Sequence, residues 1–416
     1  MGTLSSIKSH LKVPARVKKV ATGLVGYLMT SDARRTLRGA AESAELSSSA
    51  VSRFLAQHKA LALKNLNRLG LRALKKNLRC RRKLDPHAPW TVAVIIDATL
   101  HERSSLRSDN VQRFNHGQGW IVGHQWTNIV LLVNGQRIPL APLPFLTRKK
   151  CQELGVAYLT EPERIMEAMN DINWDSLLPG VKPEEIVVLC DSGYDNKRLQ
   201  NFFVSKGWDF TISLKKNRTI RTETQGAQSV EALFRKTRKI GPNQTTLPKK
   251  RSGKNRRSVV TRTLTGYLDR LKTQVTVVRG EKPNKGHIYI ACSRSSIPAA
   301  GITSVYRLRW EIELFHREMK SYLGFEDAGL VLFEAIHSYV LWVYTTYFVI
   351  GELTSKFKNL GILGRKQILQ KRIKTDKINF FLKLNSRYDS REAINKHCYQ
   401  VKSRLEVAQP SHGGRS

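Results

Sequence analysis

The chain has 416 residues, with 71 Lys and Arg against 33 Asp and Glu, a formal net charge of +38. Apolar residues make up 41% of it, a globular composition that excludes the disordered and fibrous classes and is long enough for two or three domains. So large a charge also excludes an ordinary metabolic enzyme and calls for a polyanion, with nucleic acid the default. Five scattered cysteines (Cys80, Cys151, Cys190, Cys292 and Cys398) form no CxxC pair, which argues against a structural zinc site or a disulfide framework and fits a reducing compartment. The basic opening residues lack the apolar core of a signal peptide. The longest apolar stretch, Tyr339 to Ile350, falls short of the roughly 20 residues that span a bilayer, so no membrane is expected as a partner.

The charge is concentrated. Residues 1–85 carry a net +15 and residues 215–300 a net +17, and the rest of the chain is nearly balanced. Two basic modules around a centre of another kind are expected. The first block reads as helical. Ala40 to Leu55 resembles a helix-turn-helix, with small residues at the crossing and Ser47 to Ser49 offering an N-cap for its second helix. Val51, Phe54 and Leu55 would face inward and leave Ser52 and Arg53 toward a DNA groove. An amphipathic helix from about Lys59 to Arg79 follows, and Pro86, Pro89 and Trp90 mark a boundary.

Beyond it, Thr91 to Ile96 is a β-branched apolar run ending in Asp97, a buried strand. Gly119 to Val133 reads as a long strand, Asn134-Gly135 as a hairpin turn, and Arg137 to Leu143 as the returning strand. A helix is expected at 161–170. Ile186 to Cys190 is a second buried strand ending in Asp191, and Lys197 to Val204 and Trp208 to Leu214 read as helix and strand. That order predicts an α/β, RNase H-like (retroviral integrase-like) catalytic core with the first and fourth strands side by side, where ligands of open α/β sheets gather. Residues 215–300 hold Gly253, Gly266 and Gly280 and short alternating runs at 259–264, 274–278 and 288–291, and read as a basic β-rich insertion. A helix over 302–323 and a largely apolar one over 331–357 come next, and the tail from Gln409 to Ser416 lacks periodicity. The expected domains are a helical DNA-binding unit (1–88), the core in two parts (89–214 and 301–357), the insertion (215–300) and a C-terminal helical region with tail (358–416).

Asp97 and Asp191 at adjacent strand ends are suited to a divalent cation, since hard ions prefer oxygen ligands. A third carboxylate should come from helix 302–323. At about 100° per residue, Tyr306, Arg309, Glu313, Arg317 and Lys320 share one face, whereas Glu311 and Glu318 lie well off it. A stripe of Tyr, Arg, Glu and Lys is not a core stripe, although an i to i+4 ion pair between Arg309 and Glu313 would also explain part of it. Polar neighbours read as structural. His101-Glu102 is expected in a loop, Asp195 as the cap of the following helix, and His116 and His124 on a sheet face or in a loop. Lys215 and Lys216, just past a strand, are candidates for phosphate contact.

Tyr306-x2-Arg309-x3-Glu313-x6-Lys320, with Trp310 and Phe315-His316 inside it, resembles the YREK signature of the DDE transposases of bacterial cut-and-paste insertion sequences. Ile95 to Thr99 and the Asp-x-Gly-Tyr of Asp191 to Tyr194 resemble that family's first two catalytic segments. The resemblance covers about residues 90–350. It implies Asp97, Asp191 and Glu313 as a catalytic triad holding two Mg²⁺ ions, with Mn²⁺ as a substitute. It implies Tyr306, Arg309, Trp310, Arg317 and Lys320 as contacts to transposon-end DNA, beside Ser52, Arg53, Lys215 and Lys216 from the basic modules. The implied chemistry is in-line attack on a phosphodiester, by water for cleavage and by a 3′-hydroxyl for strand transfer. Double-stranded DNA, both ends and target, is the implied partner, with a homodimer holding two ends in the cytoplasm at the nucleoid. Relatives that form a DNA hairpin stack a flipped base on a Trp of the insertion. No Trp lies between Trp208 and Trp310 here, and Tyr267, Tyr289 or His287 could substitute. A non-catalytic DNA-binding regulator and an RNase H-like nuclease that cuts without joining are the alternatives.

Overall fold

Side-chain caps start two of the five helices that lie before the sheet, in the first 78 residues of the protein. A computed structural model describes residues 3–103, 107–115, 119–236, 243–246, 258–268, 273–281, 286–327, 329–357 and 359–385. Helices α1 (Thr3–His10), α2 (Ala15–Thr30), α3 (Leu37–Ala44), α4 (Ser48–Gln57) and α5 (Lys59–Leu78) fill this block. Pro14 precedes α2, and the side chains of Thr36 and Ser47 accept the Gly39 and Ala50 amides at the starts of α3 and α4. The helical pair expected over 40–55 is therefore α3 and α4. Val51, Phe54 and Leu55 are buried, Ser52 is half-buried and Arg53 exposed, as the sequence predicts. The small residues serve a crossing with α2. A Cβ added to Gly23 would stand 2.4 Å from the Ala44 Cβ.

The centre is a mixed sheet. Its strands are β1 (Val92–Glu102), β2 (Gln112–Asn115), β3 (Trp120–Val133), β4 (Gln136–Pro139), β5 (Leu143–Pro144), β6 (Ile186–Cys190), β7 (Asp209–Leu214), β8 (Thr219–Thr222), β9 (Gly226–Ser229), β10 (Asn243–Thr246), β11 (Ser258–Leu268), β12 (Gln274–Glu281) and β13 (His287–Cys292). Helices α6 (Arg148–Leu154), α7 (Glu161–Asp171), α8 (Trp174–Leu177), α9 (Lys197–Ser205) and α10 (Val230–Lys236) lie between them in sequence. The order across the sheet is β2-β3-β1-β6-β7-β13-β12-β11-β8-β9, with β4 and β5 on β3 and β10 on β11. β3 runs antiparallel to β1, while β6 and β7 are parallel neighbours of β1 and of each other. The Asn134-Gly135 turn has positive φ at both residues (51° and 70°), the backbone that a two-residue hairpin needs.

Four expectations are corrected here. Asp97 does not end its strand: β1 continues to Glu102, so Asp97 sits inside it and His101 and Glu102 are strand residues rather than loop residues. His101 is fully buried, and its apolar surroundings hold its pKa well below the usual histidine value. Asp195 does not cap α9; Asn196 does, and Asp195 instead binds Gln200, Arg218 and the Lys215 amide. The insertion is not set apart from the core, because β13 pairs with β7 and extends the same sheet, and it also contains α10. The helix expected over 302–323 is two helices, α11 (Ala299–Arg307) and α12 (Trp310–Leu323). His124 lies on the sheet face as expected. The thiols of Cys80, Cys151, Cys190 and Cys292 are free. Gly253, His116, Cys398 and the tail from Gln409 to Ser416 lie outside the described residues.

Helices α13 (Phe333–Leu353) and α14 (Ile362–Asn385) complete the chain. α13 is apolar on nearly all sides because α2, α4 and α5 cover one flank and α12 and α14 another. Its Thr345 and Thr346 hydroxyls donate to the carbonyls four residues earlier, so they enter the core without orphaned groups. The N-terminal helices therefore share one hydrophobic core with the sheet. No helix among the described residues is long and apolar enough to cross a membrane.

Two ion pairs through one cation join the hairpin to α12. Arg137 on β4 donates to Glu318 at 2.8 Å and lies 3.7 Å from Glu311, with all three side chains largely covered. Removing the cation alone leaves two carboxylates uncompensated. Arg137→Met is expected to lower the unfolding free energy by about 3 kcal/mol. Denaturant midpoints check this, and restoration by the triple change Arg137→Met, Glu311→Gln, Glu318→Gln would confirm the cause.

Candidate functional site

The pairing of β1 with β6 decides what stands at the centre of the sheet. They run parallel with Ile95 opposite Leu189. Asp97 and Asp191 each follow two residues later, so the register that buries Val92 to Ile96 against Ile186 to Cys190 sets the two carboxylates beside each other. Asp97 accepts the Ala98 amide at 2.9 Å. Asp191 accepts the Gly193 amide at 2.7 Å and opens a single 3₁₀ turn, Ser192–Tyr194. A Cβ on Gly193 would lie 2.9 Å from Asp191 Oδ1, so glycine lets the chain wrap the carboxylate.

α12 brings Glu313 in its first turn. Between α11 and α12 the amides of Leu308, Arg309, Glu311 and Ile312 bond three residues back instead of four. That tight turn replaces the continuous helix on which an even 100° spacing rests. The Arg309–Glu313 ion pair nevertheless forms, at 2.5 Å. The Arg309 guanidinium stands 5.9 Å from the centre of the Tyr306 ring. Tyr306 is buried and hydrogen-bonded to Ser213 near the end of β7. Glu311 and Glu318, off this face, are the partners of Arg137.

These groups form one electrostatic cluster. Burial, and after it the Asp191 carboxylate, push the Asp97 carboxyl up to about 7; Glu313 adds to the rise and Arg309 opposes it. Three oxygen-donor carboxylates with a single nearby guanidinium are under-compensated, the chemistry that a hard divalent cation relieves. The donor set therefore fits such an ion. Among the described residues no group of three or more His, Cys, Asp or Glu side chains stands in a ready-made metal-binding arrangement.

The remaining candidates are spread around this cluster. Lys320 pairs with Glu326 in the turn after α12 and donates to the carbonyl of Leu100, on the part of β1 that extends past β6, both at 2.7 Å. It lines a cavity of about 440 Å³ with Ala98, Thr99, Phe114 and Gln125. Trp310 is 55% exposed, and Arg317 is exposed on α12. Lys215 and Lys216 are exposed just past β7, at the end of the sheet where Asp191 follows β6, and Asp195 holds their loop. Ser52 and Arg53 lie on α4, and no contact among the described residues joins them to the cluster. Of the three rings that might replace an insertion Trp, Tyr289 is buried against Phe234, while His287 and Tyr267 are exposed.

Sequence reasoning missed two members. His316 lies with Nδ1 3.9 Å from Asp97 Oδ2, and Asn128 donates to its Nε2 at 3.0 Å. Burial, with Lys320 adding, drives the His316 ring down to about 3, so it is neutral at any working pH. The available signal was Asn128 itself, a polar residue beside an apolar run that opposes Asp97 in the β1–β3 pair.

A family model described as Transposase DDE domain matches residues 91–349, more than half of the chain. No curated protein matches the sequence. Among solved structures, a piggyBac transposase synaptic complex with hairpin DNA, determined by cryo-EM, is similar with a TM-score of 0.45 at 10% identity, over 96% of this chain and 78% of that one.

The cluster makes a stability prediction of its own. Asp97 is protonated more readily in the folded chain (about 7) than in the unfolded one (3.8), so its contribution is fully present below pH 4 and is lost as pH rises to 7. Asp97→Asn removes that loss. In metal-free buffer it is expected to exceed the wild type by about 2–4 kcal/mol above pH 7 and to match it near pH 4. Unfolding curves at the two pH values check both halves.

Proposed function

The chain belongs to the Transposase DDE domain family, and from that premise we propose that it is the transposase of a bacterial cut-and-paste insertion sequence of the YREK group. The observation that carries the reading is the parallel β1–β6 register that sets Asp97 beside Asp191, with α12, which carries Glu313, packed on β1. The order β4-β3-β1-β6-β7, with β3 antiparallel and β6 and β7 parallel to β1, supports an RNase H-like core. On this reading residues 1–88 are a DNA-binding unit and the insertion a second DNA grip.

Asp97, Asp191 and Glu313 would hold Mg²⁺, or Mn²⁺ in its place, which when bound supplies Lewis-acid activation of a water or 3′-hydroxyl and stabilisation of the leaving oxygen. Arg309 fixes Glu313 through their ion pair and offers its remaining N–H groups to a DNA phosphate. Tyr306 holds Arg309 from beneath. Lys320 reaches the backbone phosphates by exchanging Glu326 for DNA. Trp310 and Arg317 flank this path on α12, with Lys215 and Lys216 just past the end of β7 and Ser52 and Arg53 on the N-terminal helices. No covalent protein intermediate is needed. Holding two transposon ends requires two active sites and hence a homodimer, working on DNA in the bacterial cytoplasm.

Supercoiled plasmid carrying the element's own ends tests the reading. Wild-type protein is expected to nick at the ends with Mg²⁺ and not with EDTA, and to join those ends to target DNA. Glu313→Ala is expected to lose about 10³-fold or more in rate while still binding DNA. Cleavage without joining would make it a nuclease, and binding without cleavage a regulator.

Binding adds a second expectation. Lys215→Ala and Lys216→Ala together are expected to flatten the slope of log affinity against log salt by about 2, one for each phosphate that the lysines neutralise. An unchanged slope would place those lysines away from DNA.

A further inference from the structure

We infer that His316 is a neutral hydrogen-bond donor that positions the Asp97 carboxylate, the last link of a buried chain running Tyr344, Asn128, His316, Asp97. The inference rests on the reading of Asp97 as a metal ligand. It deepens that reading by naming what holds the ligand in place.

The direction of the chain follows from its fixed end. The Trp126 carbonyl can only accept, and Asn128 Nδ2 lies 3.3 Å from it, so the Asn128 amide is oriented with its NH₂ toward β3. Asn128 Oδ1 is then left to accept the Tyr344 hydroxyl. The second Nδ2 hydrogen points at His316 Nε2, 3.0 Å away. Nε2 must therefore present its lone pair, and the ring proton sits on Nδ1. Nδ1 faces Asp97 Oδ2 across 3.9 Å, the one step of the chain longer than a hydrogen bond, and on this inference it shortens when Asp97 takes up its cation. Asn128 and Tyr344 are each 1% exposed, so solvent cannot reverse the arrangement.

Hydrogen bonds join α13, β3 and α12, each donated toward the one carboxylate on β1 that His316 Nδ1 faces. Asp97 needs such a tether because Asp191 and Glu313 repel it. A neutral donor suits the task better than a cation would. It orients the carboxylate without cancelling the charge that attracts a divalent ion, as outer partners of ligating residues commonly do.

Two variants separate orientation from bulk. His316→Asn places an amide where Nδ1 stood and keeps the donor to Asp97. His316→Gln places one where Nε2 stood and keeps only the contact with Asn128. Mn²⁺ affinity, read by electron paramagnetic resonance without DNA, is expected to fall by about 10–100-fold in His316→Ala and His316→Gln and to be largely kept in His316→Asn. Nitrogen-15 spectra of histidine-labelled protein, with His316→Gln assigning the signal, are expected to show the Nδ1–H tautomer throughout pH 6–8. An Nε2–H tautomer, or full Mn²⁺ affinity in His316→Gln together with loss in His316→Asn, would overturn the inference. Failure of the proposed function reads differently: Mn²⁺ binding would then survive Asp97→Asn while the tautomer stayed Nδ1–H.

Discussion

The parallel register of β1 and β6 is the constraint on which the rest depends. Side chains alternate along a strand, so a slip of one residue would turn Asp97 to the opposite face and move each side chain of the fully buried run before it out of the packing it fills. Burial of Val92 to Ile96 and of Ile186 to Cys190 opposes any such slip. The same hydrophobic pairing that stabilises the sheet thus forces two like charges together. Burial of Asp97 and, after it, repulsion from Asp191 are the local cost of the arrangement, and both raise the Asp97 carboxyl above the usual carboxylate range.

α12 answers that arrangement from above and is gripped on two sides. On one side Lys320 reaches the Leu100 carbonyl, on the part of β1 that runs past β6. On the other, Arg137 of the β3–β4 hairpin takes Glu311 and Glu318. At its C-terminal end Arg35 and Lys366 both donate to the Tyr322 carbonyl, linking the helix to the N-terminal block and to α14. Lys366 is 1% exposed, and burial brings it down to about 8, so this link is held by a cation taken out of water. A strongly basic chain encloses a small acidic centre. The surrounding charge draws in a polyanion, and the centre then needs a cation to bring phosphate close.

Much of this was legible in residue order. Ile186 to Cys190 is a strand as its β-branched run demands, and Asn134-Gly135 turns because those residues tolerate positive φ. Glu313 stood apart from Glu311 and Glu318 in the sequence, and the structure pairs those two with Arg137 and Glu313 with Arg309. The failures share a cause in long-range structure. β1 runs on past Asp97 because β3 supplies partners as far as Gly123, which no local signal reveals. The tight turn at Leu308 and Arg309 keeps helical backbone angles while losing the usual hydrogen bonds, so periodicity could not expose it. The insertion looked separate because its charge differs, yet β13 finds its partner in β7, some 75 residues earlier. His316 passed as part of a motif; only Asn128, far away in sequence, gives it a role.

Anomalous diffraction from crystals grown with Mn²⁺ and a transposon-end duplex tests the central claim most directly. The account predicts a manganese peak between the carboxylates of Asp97 and Asp191, with Glu313 within ligand distance of the metal cluster. Manganese bound only elsewhere, with Asp97 and Asp191 turned apart, would contradict it.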